Sequence, residues 1–172
     1  MVLKKAVNRA TELGIKHLVV ASNTGKTALE LYKEAKSAQL HIVCVTHHVG
    51  FLGSGIDEMK KEMREKLAAL NIDVYTSTHL MAGIDRAVRK QFGGLYPAEI
   101  VANTLRMFSQ GVKVGVEIAV MSLDAGLIPY GEDVIAIGGT NRGADSAIVV
   151  RPAHSSEFFK TEIKEIIAKP LN

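Results

Sequence analysis

The run Ser22-Asn23-Thr24-Gly25-Lys26-Thr27 gathers three hydroxyls, a carboxamide, a glycine and a full positive charge within six residues. It follows the apolar stretch His17–Ala21 and opens a segment with helical spacing. The first amides of a helix lack intrahelical partners, and the helix dipole adds partial positive charge there. Gly25 would let the backbone approach an oxyanion, and Lys26 would add charge. This pattern predicts a phosphate site made of Ser22, Asn23, Thr24, Gly25, Lys26 and Thr27. The alternative is an ordinary capped turn between strand and helix. A Walker A loop is excluded, because it needs glycine five residues before Gly25 and Val20 stands there.

Other polar groups fall after other apolar runs. Gly138-Gly139-Thr140-Asn141 opens a glycine-rich link that offers hydroxyl and amide groups to a phosphate or sugar, or serves only as a hairpin loop. Thr46 and His47 close the run His41–Thr46, followed by His48. Adjacent histidines on extended chain point apart, and no Cys, His or carboxylate at ligand spacing joins them. Lining of a pocket is therefore the expectation, not a metal. Thr78-His79-Leu80-Met81 closes a third run in the same way, and Met81 is either core or a soft contact for a flat ring. Glu117, inside the apolar stretch Val112–Ala125, needs a cation or a pocket, since an unpaired buried charge is costly. Asp124 has the same ambiguity.

These residues need positioning elements. Helical spacing marks 3–13, 27–38, 56–70, 82–91, 97–108, 112–125 and 156–168, the last with Ser155 or Ser156 as N-cap. Buried strands are expected near 17–21, 41–46, 73–76, 133–138 and 146–151. The α-β alternation implies a parallel sheet with right-handed crossovers. The link from 138 to 145 holds no helix, so the fifth strand should return antiparallel. The expected fold is a single three-layer α/β/α domain over residues 1–172, with a mostly parallel five-stranded sheet.

Composition limits the function. Apolar residues are 47% and charged residues 23%, the mix of a globular domain. The net charge of +3 is spread among acids, which argues against a nucleic-acid footprint and for an anionic small ligand. No signal-peptide h-region opens the chain, and no apolar run is long enough for a membrane span. Cys44 is the sole cysteine and lies in an apolar run, so no intrachain disulfide forms and a cytoplasmic setting is expected.

The run Leu18–Ala28, with Ser22-Asn23-Thr24-Gly25-Lys26-Thr27, resembles the pyruvate kinase C-terminal domain family. So do Ile42–Thr46 and the stretch Gly126-Leu127-Ile128 through Gly131-Glu132-Asp133 to Gly138-Gly139. The resemblance covers 3–47 and 123–151 and is poor over 48–122. It implies the same α/β/α sandwich with its last strand antiparallel. Pyruvate kinase performs its chemistry in a separate β/α barrel, so that activity is not expected of these residues. Small stand-alone proteins of this kind bind flavin mononucleotide (FMN), which the resemblance implies here. FMN would set its phosphate on Ser22–Thr27. Thr46 and His47 would form one wall and Gly138–Asn141 the other, with Met81 and Met121 covering the ring. A redox-active flavin would make the protein an oxidoreductase of unknown substrate. The alternatives are a sensor of a sugar phosphate and an interaction subunit that builds homo-oligomers. The expected partner is a phosphorylated small molecule.

Overall fold

A computed structural model describes residues 1–171. The strands are β1 (His17–Ala21), β2 (His41–Thr46), β3 (Ile72–Thr76), β4 (Val134–Gly138), β5 (Ser146–Arg151) and β6 (Glu162–Ala168). They form one sheet in the order β3-β2-β1-β4-β5-β6. β1 to β4 are mutually parallel, β5 runs antiparallel to β4, and β6 antiparallel to β5.

Side chains of a strand alternate between faces, and here both faces are apolar. Leu18, Val20, Ile42, Cys44, Ile135 and Ile137 join one core cluster, while Val19, Val43, Val45, Val134 and Ala136 join the other. The first face carries α1 (Val2–Leu13), α2 (Lys26–Ala35) and α3 (Lys61–Ala68), through Ala6, Val7, Ala10, Leu31 and Leu67. The second carries α6 (Gln110–Asp124), outside which lies α5 (Pro97–Arg106). α4 (Gly83–Phe92) buries no residue. Full burial of each aliphatic side chain contributes about 1.5–3 kcal/mol, so these two clusters hold the three layers together. Among the described residues no helix is long and apolar enough to cross a membrane.

The three-layer architecture and all five expected strands are present. Two segments differ from expectation. The helix expected over 56–70 spans only Lys61–Ala68. Before it, the Asp57 carboxylate accepts from the Met59 amide at 2.9 Å, and Met59 is pulled into the core at 2% exposure. The helix expected over 156–168 is absent: a short 3-10 stretch (Ser155–Lys160) is followed by β6, a sixth strand. Ile163, Ile166 and Ile167 have helical spacing, but they are β-branched and β5 offers an unpaired edge. The ladder wins over the periodicity, with two irregularities in its register.

The candidate site at the carboxyl edge of the sheet

β1 is paired with β2 on one side and β4 on the other, so the chain reverses its direction of travel across the sheet at β1. In open α/β sheets ligands bind at the carboxyl ends of strands at such a reversal. Val20 is in register with both Cys44 and Ile137. The turn after β1 therefore lies between the end of β2 and the end of β4, and the Ser22 amide donates to the Val45 carbonyl at 2.9 Å.

Within this turn Ser22 is buried, and its Oγ accepts from the Ala28 amide at 3.4 Å. Gly25 has φ 81, in the left-handed region where glycine is free of strain. A side chain there would also strike Met63 on α3. The glycine thus serves packing as well as loop shape. The Ser22 hydroxyl takes one first-turn amide of α2, that of Ala28, the N-cap residue Gly25 has no side chain to add, and no acid occupies that turn, so the rest of the positive end is left for a ligand. Thr24 and Lys26 are exposed, Asn23 is half-buried, and Thr27 is buried.

The glycine-rich link is closed on itself. The Asp145 carboxylate accepts from the Thr140 amide at 2.9 Å, the Thr140 hydroxyl at 2.7 Å and the Ser146 hydroxyl at 2.6 Å. A Cβ on Gly138 would meet the Gly111 carbonyl at the start of α6, and one on Gly139 would meet the Gly143 carbonyl. Gly138 admits close approach of the strand end to the helix, and Gly139 lets the loop fold back on itself. Asn141 and Arg142 remain exposed.

On the other side of the turn, Thr46 is internally committed. Its hydroxyl donates to the His47 carbonyl at 2.8 Å and lies 2.6 Å from the Thr76 hydroxyl, which accepts from Arg64 at 2.9 Å. Arg64 in turn is paired with Asp57. His47 Nδ1 is 2.6 Å from Glu58 Oε1, and the His48 Nδ1 lies 2.8 Å from the Val49 carbonyl. His47, His48, Phe51 and His79 form a contiguous group of rings.

Beneath His79 lies a buried ion pair. Lys113 and Glu117, one turn apart on α6, are 7% and 5% exposed at their side chains. The second oxygen of Glu117 accepts from the Met81 amide at 2.8 Å, tying the turn after β3 to α6. Burial, against the pull of Glu117 and with smaller pushes from His47, His48 and Lys113, brings the His79 imidazole down to about 4. Burial likewise lowers the Lys113 ammonium, against the pull of Glu117. His79 is held neutral at ordinary pH.

The predicted loop residues Ser22–Thr27, Thr46, His47 and Gly138–Asn141 thus share one sheet edge. Met81 and Met121 lie elsewhere: both are buried in the core cluster beneath that edge, at 6% and 5% exposure. α6 starts at the edge, where Gly111 meets Gly138, and ten residues at about 1.5 Å each put Met121 roughly 15 Å down the helix. Asp124, ambiguous in sequence, accepts from His154 at 2.8 Å at the far end of α6. Glu58, Arg64, Lys113 and Phe51 were not singled out from sequence. Glu117 carried the one signal, a charge in an apolar run. A separate depression of 550 Å³ lies along α3 and the outer edge of β3 by His41, Asp73 and Asn71. It is a groove beside a free strand edge, with Arg64 also in its lining.

The family model described as pyruvate kinase, alpha/beta domain, matches residues 1–150. A pyruvate kinase from Cryptosporidium parvum is similar at 16% identity over 81% of this chain and 21% of its own, with a TM-score of 0.40. The Cryptosporidium parvum pyruvate kinase solved in complex with ADP is similar at 15% identity, over 99% of this chain and 24% of its own, with a TM-score of 0.41. The chain spans about a quarter or less of the length of these enzymes.

Proposed function

This chain belongs to the pyruvate kinase alpha/beta domain family, and from that premise we propose that it is a phospholigand-binding domain whose leading ligand is FMN. The observation that supports this is the β1–α2 turn: a helix N-terminus free of acids, with only the Ala28 amide taken by the Ser22 hydroxyl and with Thr24 and Lys26 exposed, at the reversal point of the sheet. Such a terminus favours a phosphate dianion. His47 and the ring group flank the turn through β2, while Gly139 and Asn141 flank it through β4. Thr46 and Thr140 contribute by holding these flanks in shape, since their hydroxyls are taken. In this reading the chain binds and orients a ligand, and any redox chemistry is the flavin's. A cytoplasmic location belongs to the same reading, supported by the reduced, buried Cys44, whose thiol burial pushes up to about 12.

The test is reconstitution of the protein with FMN, riboflavin and a sugar bisphosphate in parallel. Tight FMN binding with much weaker riboflavin binding is expected. Equal binding of the two flavins removes the role of the turn, and binding of the sugar bisphosphate alone transfers the reading to an effector sensor. A second reading, an interaction subunit, draws on the apolar side chains that α4 and α5 leave exposed, among them Ile84, Phe92 and Ile100.

A further inference from the structure

Four rings meet where β2 and β3 end. Phe51 stacks on His47 with centroids 3.7 Å apart and planes 28° apart. His79 lies 5.3 Å from His47, 5.4 Å from His48 and 5.6 Å from Phe51. A purely structural aromatic cluster would be sealed, but Phe51 keeps 38% of its surface exposed. It sits on a loop whose shape depends on Gly50 and Gly55 at φ 90 and 74. Arg86 has its guanidinium carbon 6.0 Å from the Phe51 centroid and makes no ion pair among the described residues.

The polar atoms of the group are directed. The Val49 carbonyl only accepts, so His48 carries a proton on Nδ1, and in the neutral ring Nε2 is left as an acceptor. The Glu58 carboxylate fixes His47 in the same way. Flat apolar faces are therefore combined with ring nitrogens that take a hydrogen bond. Neighbouring strands are about 4.8 Å apart, so the group stands roughly 5–10 Å along the edge from the β1–α2 turn. That distance suits a pentose or pentitol between a phosphate and a ring.

We propose that His47, His48, Phe51 and His79 form the subsite for a flat, N–H-bearing heteroaromatic ring, tethered by a sugar-length spacer to the phosphate on Ser22–Lys26. This rests on the phospholigand reading and adds the residues that select the ring. Phe51 supplies the stacking face, the histidines accept from the heterocycle, and Arg86 closes over it. Stacking of a base on an aromatic side chain contributes about 1–3 kcal/mol by alanine substitution, or roughly 5- to 150-fold in affinity.

Titration calorimetry on the full chain, with FMN, AMP, riboflavin and ribose 5-phosphate as probes, tests the assignment. Phe51→Ala is expected to weaken whichever ring-bearing phosphate binds by about 5- to 150-fold and to leave ribose 5-phosphate unchanged. Lys26→Ala is expected to weaken every phosphate-bearing probe and to spare riboflavin. His79→Gln, with folding checked by circular dichroism, is the second ring-site variant and is expected to follow Phe51→Ala. If both ring-site variants bind FMN and AMP like the parent, the ring subsite is wrong while the phosphate reading stands. The same holds if ribose 5-phosphate binds and neither ring probe gains over it. If Lys26→Ala changes nothing while the ring-site variants lose binding, the phosphate reading fails and the ring subsite survives. Failure of all four probes removes both.

Discussion

Lys26 stands exposed at the first position of α2, within reach of a phosphate on the turn. A hydrogen bond to a charged group is worth about 1.5–3 kcal/mol. Lys26→Ala should therefore cost roughly 10- to 100-fold in affinity for a phosphate-bearing ligand, read by titration. His79 offers a second residue-level prediction. A base whose folded value of about 4 lies below its ordinary 6.5 binds fewer protons folded than unfolded between those values. Its contribution to stability is complete above about 6.5 and is lost as pH falls toward 4. His17 is shifted in the same direction, first by burial and then by its neighbour His41, with Glu132 opposing. Thermal midpoints measured from pH 7 to pH 4 should fall, and His79→Gln should flatten part of that fall. A variant profile parallel to the parent's would show that His79 is not held neutral by the fold.

At the scale of elements, β6 is the part of the structure that sequence periodicity misread. It covers β5, and Glu165 on it takes two hydrogen bonds from Arg9 on α1, at 3.0 and 2.9 Å. A chain ending after Ala153 would expose the ladder edge of β5 and remove the packing of Ile166 and Ile167 on the two core clusters. Such a truncation should lower the melting midpoint markedly and strip hydrogen-exchange protection from those β5 amides that face β6. Retained protection there would show that β6 is only appended. β1 and β2 were legible because a five- or six-residue apolar run bounded by polar turn residues has few other readings. The Ser22–Thr27 turn was legible because its chemistry is contiguous. The Glu58–His47 and Arg64–Thr76 contacts were not, because each joins residues from separate segments whose meeting is decided only by strand order. Glu162–Ala168 failed differently: its isoleucines have helical spacing, and the free edge of β5, a tertiary fact, overrides it.

For the molecule as a whole, the layer that carries α4 is unevenly covered. Ile84, Phe92, Leu95, Ile100 and Met107 are each more than half exposed. Large apolar side chains left exposed on neighbouring segments suit contacts between proteins. If copies of this chain associate through it, sedimentation should give a concentration-dependent mass that Ile84→Asp with Phe92→Asp reduces to that of the monomer. A monomer at every concentration removes the self-association reading. The position of β1 in the middle of the sheet also has a consequence for the nascent chain. One edge of β1 meets β2 almost as soon as both exist, but its other edge waits for Ile135–Ile137, which leave the ribosome roughly a hundred residues later. At about 5–20 residues per second, that is roughly 5–20 seconds with an apolar strand edge unpaired. During synthesis the newborn protein must keep Leu18, Val19 and Val20 from pairing with a stranger, so its yield in the cell should depend on chaperone supply more than its final stability would suggest.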